Sequence, residues 1–352
     1  MTHLWQFPLE VVKLIVAHID THKDLYQWAL VSKRFHIIVT PQLWHAPLGN
    51  QSLIFGTAYS LLDCLRLGHD RQLGHHIRKL KFGRSDVLQY VIQLLGHTPL
   101  LEELSLRRLA VRKQDIQWIT QHCPRLQLLQ LWATYITNDT IGSLGDLCYL
   151  HHLELVSCTR LTAQALRTVE HCPLTTLLLH DCTLAIDHHS AIYIQRLTQL
   201  TRLELTTPYG GTTRKFMNHL FPPTTTVLPL LQHFFINGSP DDPIDDSVLV
   251  PFIKSHPLLT DLTIANCRIT QTTLAALGTH LPRLLRLDIS STGGAPLPFP
   301  DVRGLIQTCA HLVMLRLNRT DLDPQSFAGL EYSFKWVRAE LHAVDLERIR
   351  SA

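Results

Sequence analysis

The chain has 352 residues with a formal net charge of +3, is 45% hydrophobic and 17% charged, and contains eight cysteines. That balance excludes a charged disordered chain. No apolar stretch reaches the 18 residues of a membrane span, and the N-terminus lacks the basic, apolar and small-residue succession of a signal peptide. The expected setting is cytoplasm, nucleus or both, with no membrane partner.

In chain order, residues 1–45 read as a small all-helical module. Pro8 suits a first helical turn, and Leu9, Val12, Ile15, Val16 and Ile19 follow at helical spacing. Thr21 with Asp24 three residues on resembles a capping box, opening a second helix through Leu25, Trp28 and Ala29. Ser32 caps a third across Phe35, Ile38 and Val39, and Thr40-Pro41 starts a last turn carrying Leu43 and Trp44. So small a bundle must lean on its neighbours.

Residues 46–76 form a linking and capping segment. Leu53-Ile54-Phe55 stands 24 residues before Ile77, in register with the repeats, and Tyr59, Leu61, Leu62, Leu65 and Leu67 add an apolar run. From residue 77 to 330 one phrase keeps returning. In the form Leu-x-x-Leu-x-Leu it starts at Leu101, Leu126, Leu150, Leu174, Leu200, Leu231, Leu259, Leu284 and Leu312, with a first copy at Ile77. The separations are 24, 25, 24, 24, 26, 31, 28, 25 and 28 residues, the period of a leucine-rich repeat. Leu-x-Leu alternation is a short strand with one buried face, and helical spacing such as Leu274, Leu277 and Leu281 lies between copies. Such units must stack, so the expected fold is α/β, a leucine-rich repeat solenoid with a curved parallel sheet and outer helices. Residues 331–352 read as a C-terminal helical cap through Phe334, Val337, Leu341, Val344 and Ile349.

Phe7-Pro8-Leu9-Glu10, an apolar helix, Asp24-Leu25, Ala29-Leu30-Val31-Ser32-Lys33, Phe35 and Pro41-Gln42-Leu43-Trp44 together resemble an F-box. The whole chain resembles the F-box and leucine-rich repeat family, although Phe7 stands where that family usually has Leu. The resemblance implies that the module binds the adaptor of a cullin-RING ubiquitin ligase, and the cullin indirectly, while the repeats hold a target protein. Carried over by position, the adaptor-binding set is Pro8, Leu9, Ile15, Leu25, Leu30, Val31, Ser32, Lys33 and Trp44. Helical caps on repeat stacks are the plainer alternative for residues 1–45.

Within each repeat, the strand residues flanking the buried leucines are free to read a partner. The target-binding candidates among them are Lys79, Lys81, Arg107, Trp132, His152, His180 and Phe235. Trp132 and Phe235 stand out because a large aromatic on an outward strand position gains from burial only when something covers it, a partner or a neighbouring loop. Between Arg66 and Lys113 ten basic residues face four acidic ones. Such a face suits an acidic or phosphorylated target, or is simply a solvated helix surface; no stacking platform accompanies it, so nucleic acid is not expected. The longest excesses over the repeat period follow Leu205 and Ile236, with a Pro/Gly-rich piece after Ile289, and insertions on one side of a repeat stack either bind or are tolerated growth.

Cys158, Cys182 and Cys267 each fall eight residues after a repeat start, as expected of small buried thiols. The 22 histidines recur near loops rather than converging, and no Cys-x-x-Cys, His-Glu-x-x-His, phosphate loop or nucleophile elbow occurs. No catalytic residue, metal site or cofactor is expected. The sequence points to a non-catalytic substrate receptor of a ubiquitin ligase, the alternative being a repeat scaffold that binds partners without delivering them for ubiquitination.

Overall fold

A computed structural model describes residues 7–47, 57–67, 72–83, 86–133, 135–183, 188–207, 211–291, 297–320 and 340–351. Two compact units divide the chain, Met1–His151 and His152–Ala352.

The first unit opens with three helices, α1 (Leu9–Ala17), α2 (His22–Val31) and α3 (Lys33–His45). Pro8 is the N-cap of α1, the Thr21 hydroxyl accepts from the Asp24 amide at 3.1 Å, and the Ser32 hydroxyl accepts from the Phe35 amide at 3.2 Å. Val12, Val16, Leu25, Ala29, Phe35, Ile38 and Val39 close a small core, with Trp28 packed edge-on against Phe35. The expected break at Thr40-Pro41 does not occur, since α3 runs through Pro41 to His45. Proline removes the amide that would bond the Ile37 carbonyl, and Ile37 is 72% exposed, so water can take that place.

Helix α4 (Thr57–Leu67) packs on α5 (Leu88–Leu95), with Tyr59 edge-on to Tyr90 and the Arg66 guanidinium donating to Gln93 at 2.9 Å. Leu53-Ile54-Phe55 lies outside the described residues. Strands β1 (Lys79–Phe82), β2 (Glu103–Arg107) and β3 (Leu128–Trp132) pair in parallel, placing Lys81 beside Ser105, Ser105 beside Gln130 and Arg107 beside Trp132. Helix α6 (Lys113–His122) follows β2. The Arg78 amide donates to the His45 carbonyl at 2.9 Å, tying the end of α3 to the start of the sheet.

In the second unit, β4 (His152–Val156), β5 (Thr176–His180), β6 (Arg202–Leu205), β7 (His233–Asn237), β8 (Asp261–Ala265), β9 (Arg286–Asp288) and β10 (Met314–Arg316) stand in chain order, each paired in parallel with the next. Helices α7 (Gln164–Thr168), α8 (His188–Gln195), α9 (Arg214–Leu220), α10 (Asp246–Ser255), α11 (Gln271–His280) and α12 (Phe299–Thr308) connect them. The inward leucines at each strand are buried, as at Leu153, Leu177, Leu203, Leu262, Leu287 and Leu315. All ten sequence repeats therefore supply a strand, and the α/β repeat architecture is of the leucine-rich type. The insertion after Leu205 is built in rather than loose: α9 buries Phe216, Met217 and Leu220, and the Lys215 amide donates to the Asp242 carboxylate of the next insertion at 3.0 Å.

The described C-terminal segment is not wholly helical. Strand β11 (Glu340–His342) pairs antiparallel with β10, and helix α13 (Ala343–Ser351) follows it. From α13, Arg350 donates to the carbonyls of Ile306, Cys309 and Leu312 at 3.1, 2.9 and 3.0 Å, satisfying groups left open where α12 ends. Phe334 and Val337 lie outside the described residues.

A turn recurs after the strands. Arg108, Ala133, Ser157, Asp181, Asn266, Ser291 and Arg319 all have φ between 48° and 56°, and each stands seven residues after its repeat start. The cysteine that follows in three repeats closes this turn: Cys158, Cys182 and Cys267 donate from Sγ to the carbonyls of Val156, His180 and Ala265 at 3.4, 3.3 and 3.4 Å. Burial pushes the Cys267 thiol up to about 12, so it stays a protonated donor.

Candidate functional site

The helical module leaves much apolar surface uncovered. Of the residues expected from the sequence to bind an adaptor, Pro8, Leu9, Ile15, Leu30, Val31, Ser32 and Lys33 are exposed, with Leu30 and Val31 at 62% and 61%. Trp44 is half-buried. Leu25 is 3% exposed and belongs to the module's core, so its contribution is to packing rather than to a surface. Leu14 and Ile37, outside that set, are also exposed. Short bundles spend their best apolar residues inside, so this surplus is the module's distinguishing property.

The target-binding candidates divide between the units. Lys79, Lys81, Arg107 and Trp132 lie on the strand face of the first, all half-buried. Lys79 is paired with Glu103 at 2.7 Å, and Arg78 with Glu102 at 3.3 Å, so part of the basic excess is neutralised locally. The Arg107 guanidinium lies 3.7 Å above the Trp132 ring, a stacking distance that covers the aromatic with the chain's own cation. Ser105, beside Lys81 and two residues before Arg107 on the same face, is buried, although its outward position suggests access. Parallel neighbours about 4.8 Å away on both sides suffice to cover so short a side chain.

His152, His180 and Phe235 lie on the strand face of the second unit, where charges are largely paired. His180 Nε2 is 2.9 Å from Glu204, which also accepts from Arg202 Nε at 2.7 Å. The hydrogen bond to Glu204 raises the His180 pKa; burial of Glu204 opposes its ionisation, but the bonds from His180 and Arg202 outweigh this and hold its carboxyl below its usual value. His233 Nδ1 is 3.0 Å from Asp261, which also pairs with Arg286, and Arg316 reaches Glu340 at 3.3 Å. A concavity of about 220 Å³ lies over Phe235, between these paired groups. Outward residues Glu154 and Leu178 are buried in this unit.

Comparison with known proteins adds little to this geometry. No family model and no curated protein matches the chain. Among the solved structures that align with it are a TLR13-ssRNA13 complex, at 19% identity over 74% of this chain and 35% of that one, and an internalin (inlF) from Listeria monocytogenes, at 17% identity over 78% and 92%. Both have a TM-score of 0.47. The chain spans about a third of the length of the first of them.

Among the described residues no group of three or more His, Cys, Asp or Glu could hold a metal ion, and no helix is long and apolar enough to cross a membrane. Four of the histidines have a visible structural task. His18, His122, His219 and His256 each place Nδ1 against the carbonyl four residues earlier, at 2.7–3.0 Å, closing helix C-termini. Sequence reasoning missed the unpartnered donors around Arg107, because their isolation depends on what the neighbouring strands present.

Proposed function

We propose that the chain is a non-catalytic protein-binding repeat protein whose helical module adds a second, adaptor-docking end, as an F-box does in receptor subunits of cullin-RING ubiquitin ligases. The observation that carries the adaptor reading is the exposed apolar surface at Leu9, Ile15, Leu30 and Val31 around a core that closes without them. Exposed apolar residues in such numbers mark an interaction surface. Strand faces bearing Lys81, Arg107 and Trp132, or His180 and Phe235, would hold the target, which the ligase would then modify through proximity alone.

A purified cullin-RING adaptor should co-elute with the full chain, and a cullin should join when added. The double variant Leu9→Asp, Leu30→Asp should abolish co-elution while shifting the thermal transition by no more than the ~0.5 kcal/mol per site usual for surface changes. Retained co-elution would remove the adaptor reading. A repeat scaffold without ubiquitin delivery is the second reading, favoured by the repeat architecture itself, which offers extended binding surfaces whatever the module does. Adaptor binding without recruitment of a cullin would select it.

A further inference from the structure

We infer that Lys81, Ser105, Arg107 and Trp132 form a receiving site on the first unit's strand face for an oxyanion carried by a partner polypeptide, a phosphorylated side chain or a carboxylate. The inference deepens the target-binding part of the proposed function and does not depend on the helical module.

Three hydrogen-bonding groups here are buried and unused. Ser105 Oγ, Arg107 Nε and Trp132 Nε1 have no hydrogen-bond partner, and Ser105 is only 2% exposed. Lys81 has no ion-pair partner among the described residues. Buried polar groups are almost always satisfied, so three orphans on adjacent strands call for an explanation. The register sets their spacing. Lys81 stands beside Ser105 across β1 and β2, and Arg107, two residues along β2, stands beside Trp132 on β3. Neighbouring strands lie about 4.8 Å apart and residues i and i+2 about 6.6 Å apart, so the four side chains rise from a patch the size of one hydrated oxyanion.

Their chemistry has one sign. Lysine, arginine and indole only donate, and the serine hydroxyl can donate. Glu103, an acid on this face one register row from Ser105, is engaged by Lys79 at 2.7 Å. The guanidinium carbon lies 3.7 Å from the indole centroid, within stacking distance, and a guanidinium stacked on a ring directs its N–H groups sideways in its own plane, the presentation that grips carboxylate and phosphate in pairs. The second unit's strand face is the internal contrast: there Glu204, Asp261 and Glu340 are each met by a base of the same chain.

The test uses the purified full chain and three blocked pentapeptides, Ala-Gly-X-Gly-Ala with X as phosphoserine, Glu or Ser, together with inorganic phosphate. The readout is the indole N–H resonance assigned to Trp132 through Trp132→Phe. The phosphoserine or Glu peptide should move it saturably and the Ser peptide should not. A response to phosphoserine above Glu makes phosphate the source; an equal response makes it a carboxylate; inorganic phosphate alone should bind more weakly than the better peptide. Lys81→Met and Arg107→Met should each weaken binding by about tenfold, the loss of roughly one charge-assisted hydrogen bond, and Arg107→Lys should not restore it. Ser105→Ala should weaken binding while leaving the thermal transition unchanged or raised, which a merely structural hydroxyl would not do. Lys215→Met, on α9, is the control. The inference falls if neither anionic peptide responds at about 10 mM, well above the millimolar constants expected for one such contact. It falls equally if the Ser peptide responds as well as the anionic ones, or if both Met variants bind as the wild type does. No adaptor is present, so this failure and a failed adaptor co-elution are separate results.

Discussion

Ser105 and Leu106 are neighbours on β2, both buried, and opposite in what their loss should do. The Ser105 hydroxyl lacks a partner, so Ser105→Ala removes a desolvated group and should be neutral or stabilising by up to about 1 kcal/mol. Leu106→Ala should cost about 2–5 kcal/mol. Urea midpoints of the two variants check the contrast. Two histidines make a similar pair in pH. His256 is 1% exposed, with its ring nitrogens 2.8 Å from the carbonyls of Phe252 and Val227, and burial lowers its pKa. Below the unfolded value of about 6.5, the unfolded chain takes up a proton that the folded chain refuses, so stability falls with pH until the folded pKa is passed. His180 is raised by Glu204, so its contribution is present below about 6.5 and is lost as pH rises through its folded pKa. Stability curves from pH 5 to 8 should therefore flatten on the acid side in His256→Gln and on the neutral side in His180→Gln. The sequence shows which face of β2 Ser105 occupies, through the Leu104 and Leu106 alternation. It cannot show that Lys81 and Gln130 flank it, which is settled by strands 24 and 25 residues away.

At the scale of elements, the ten strands were legible because each repeat restates the same alternation. The turn after them was not. Its left-handed position holds Arg108, Ala133, Ser157, Asp181, Asn266, Ser291 and Arg319, a set without the glycine that usually announces such a conformation. A non-glycine residue there is held at a cost of about 1–2 kcal/mol, compensated by hydrogen bonds such as that of the Arg108 amide to the Trp132 carbonyl at 2.7 Å. Ala133→Gly should therefore raise stability by about 1 kcal/mol, whereas Ala275→Gly, on the exposed face of α11, should lower it by a similar amount. Calorimetry of the two variants decides the point, and a loss in both would mean that the turn is not strained. Pro41 misleads in the other direction, since a helix break expected from its chemistry is overridden by flanking residues that pack into the module's core.

For the whole molecule, repeat period alone indicates the architecture, while the two ends depend on contacts that no period encodes. The linkage from α3 to β1 through the His45 carbonyl, and the three hydrogen bonds by which Arg350 closes the end of α12, join segments far apart in sequence. The adaptor reading rests on residues whose exposure, not identity, is informative: Leu25 and Leu30 are five positions apart on one helix, one in the core and the other open to solvent.

A row of parallel strands has polarity, and a polar row can lengthen by accepting another copy at its open end. In the second unit β11 runs against the row, is three residues long and leads straight into α13, so it offers an incoming strand the wrong direction and little length. The expected effect of the reversal is to stop growth at this edge. Removing residues 340–352 should uncover β10 and yield sedimentation coefficients that climb with concentration, where the full chain stays constant; a truncated chain that sediments as one discrete species would show that termination resides elsewhere. On that expectation, one change of strand direction at β11 sets both whether β10 is open to a second copy and how far the sheet of this unit extends in solution.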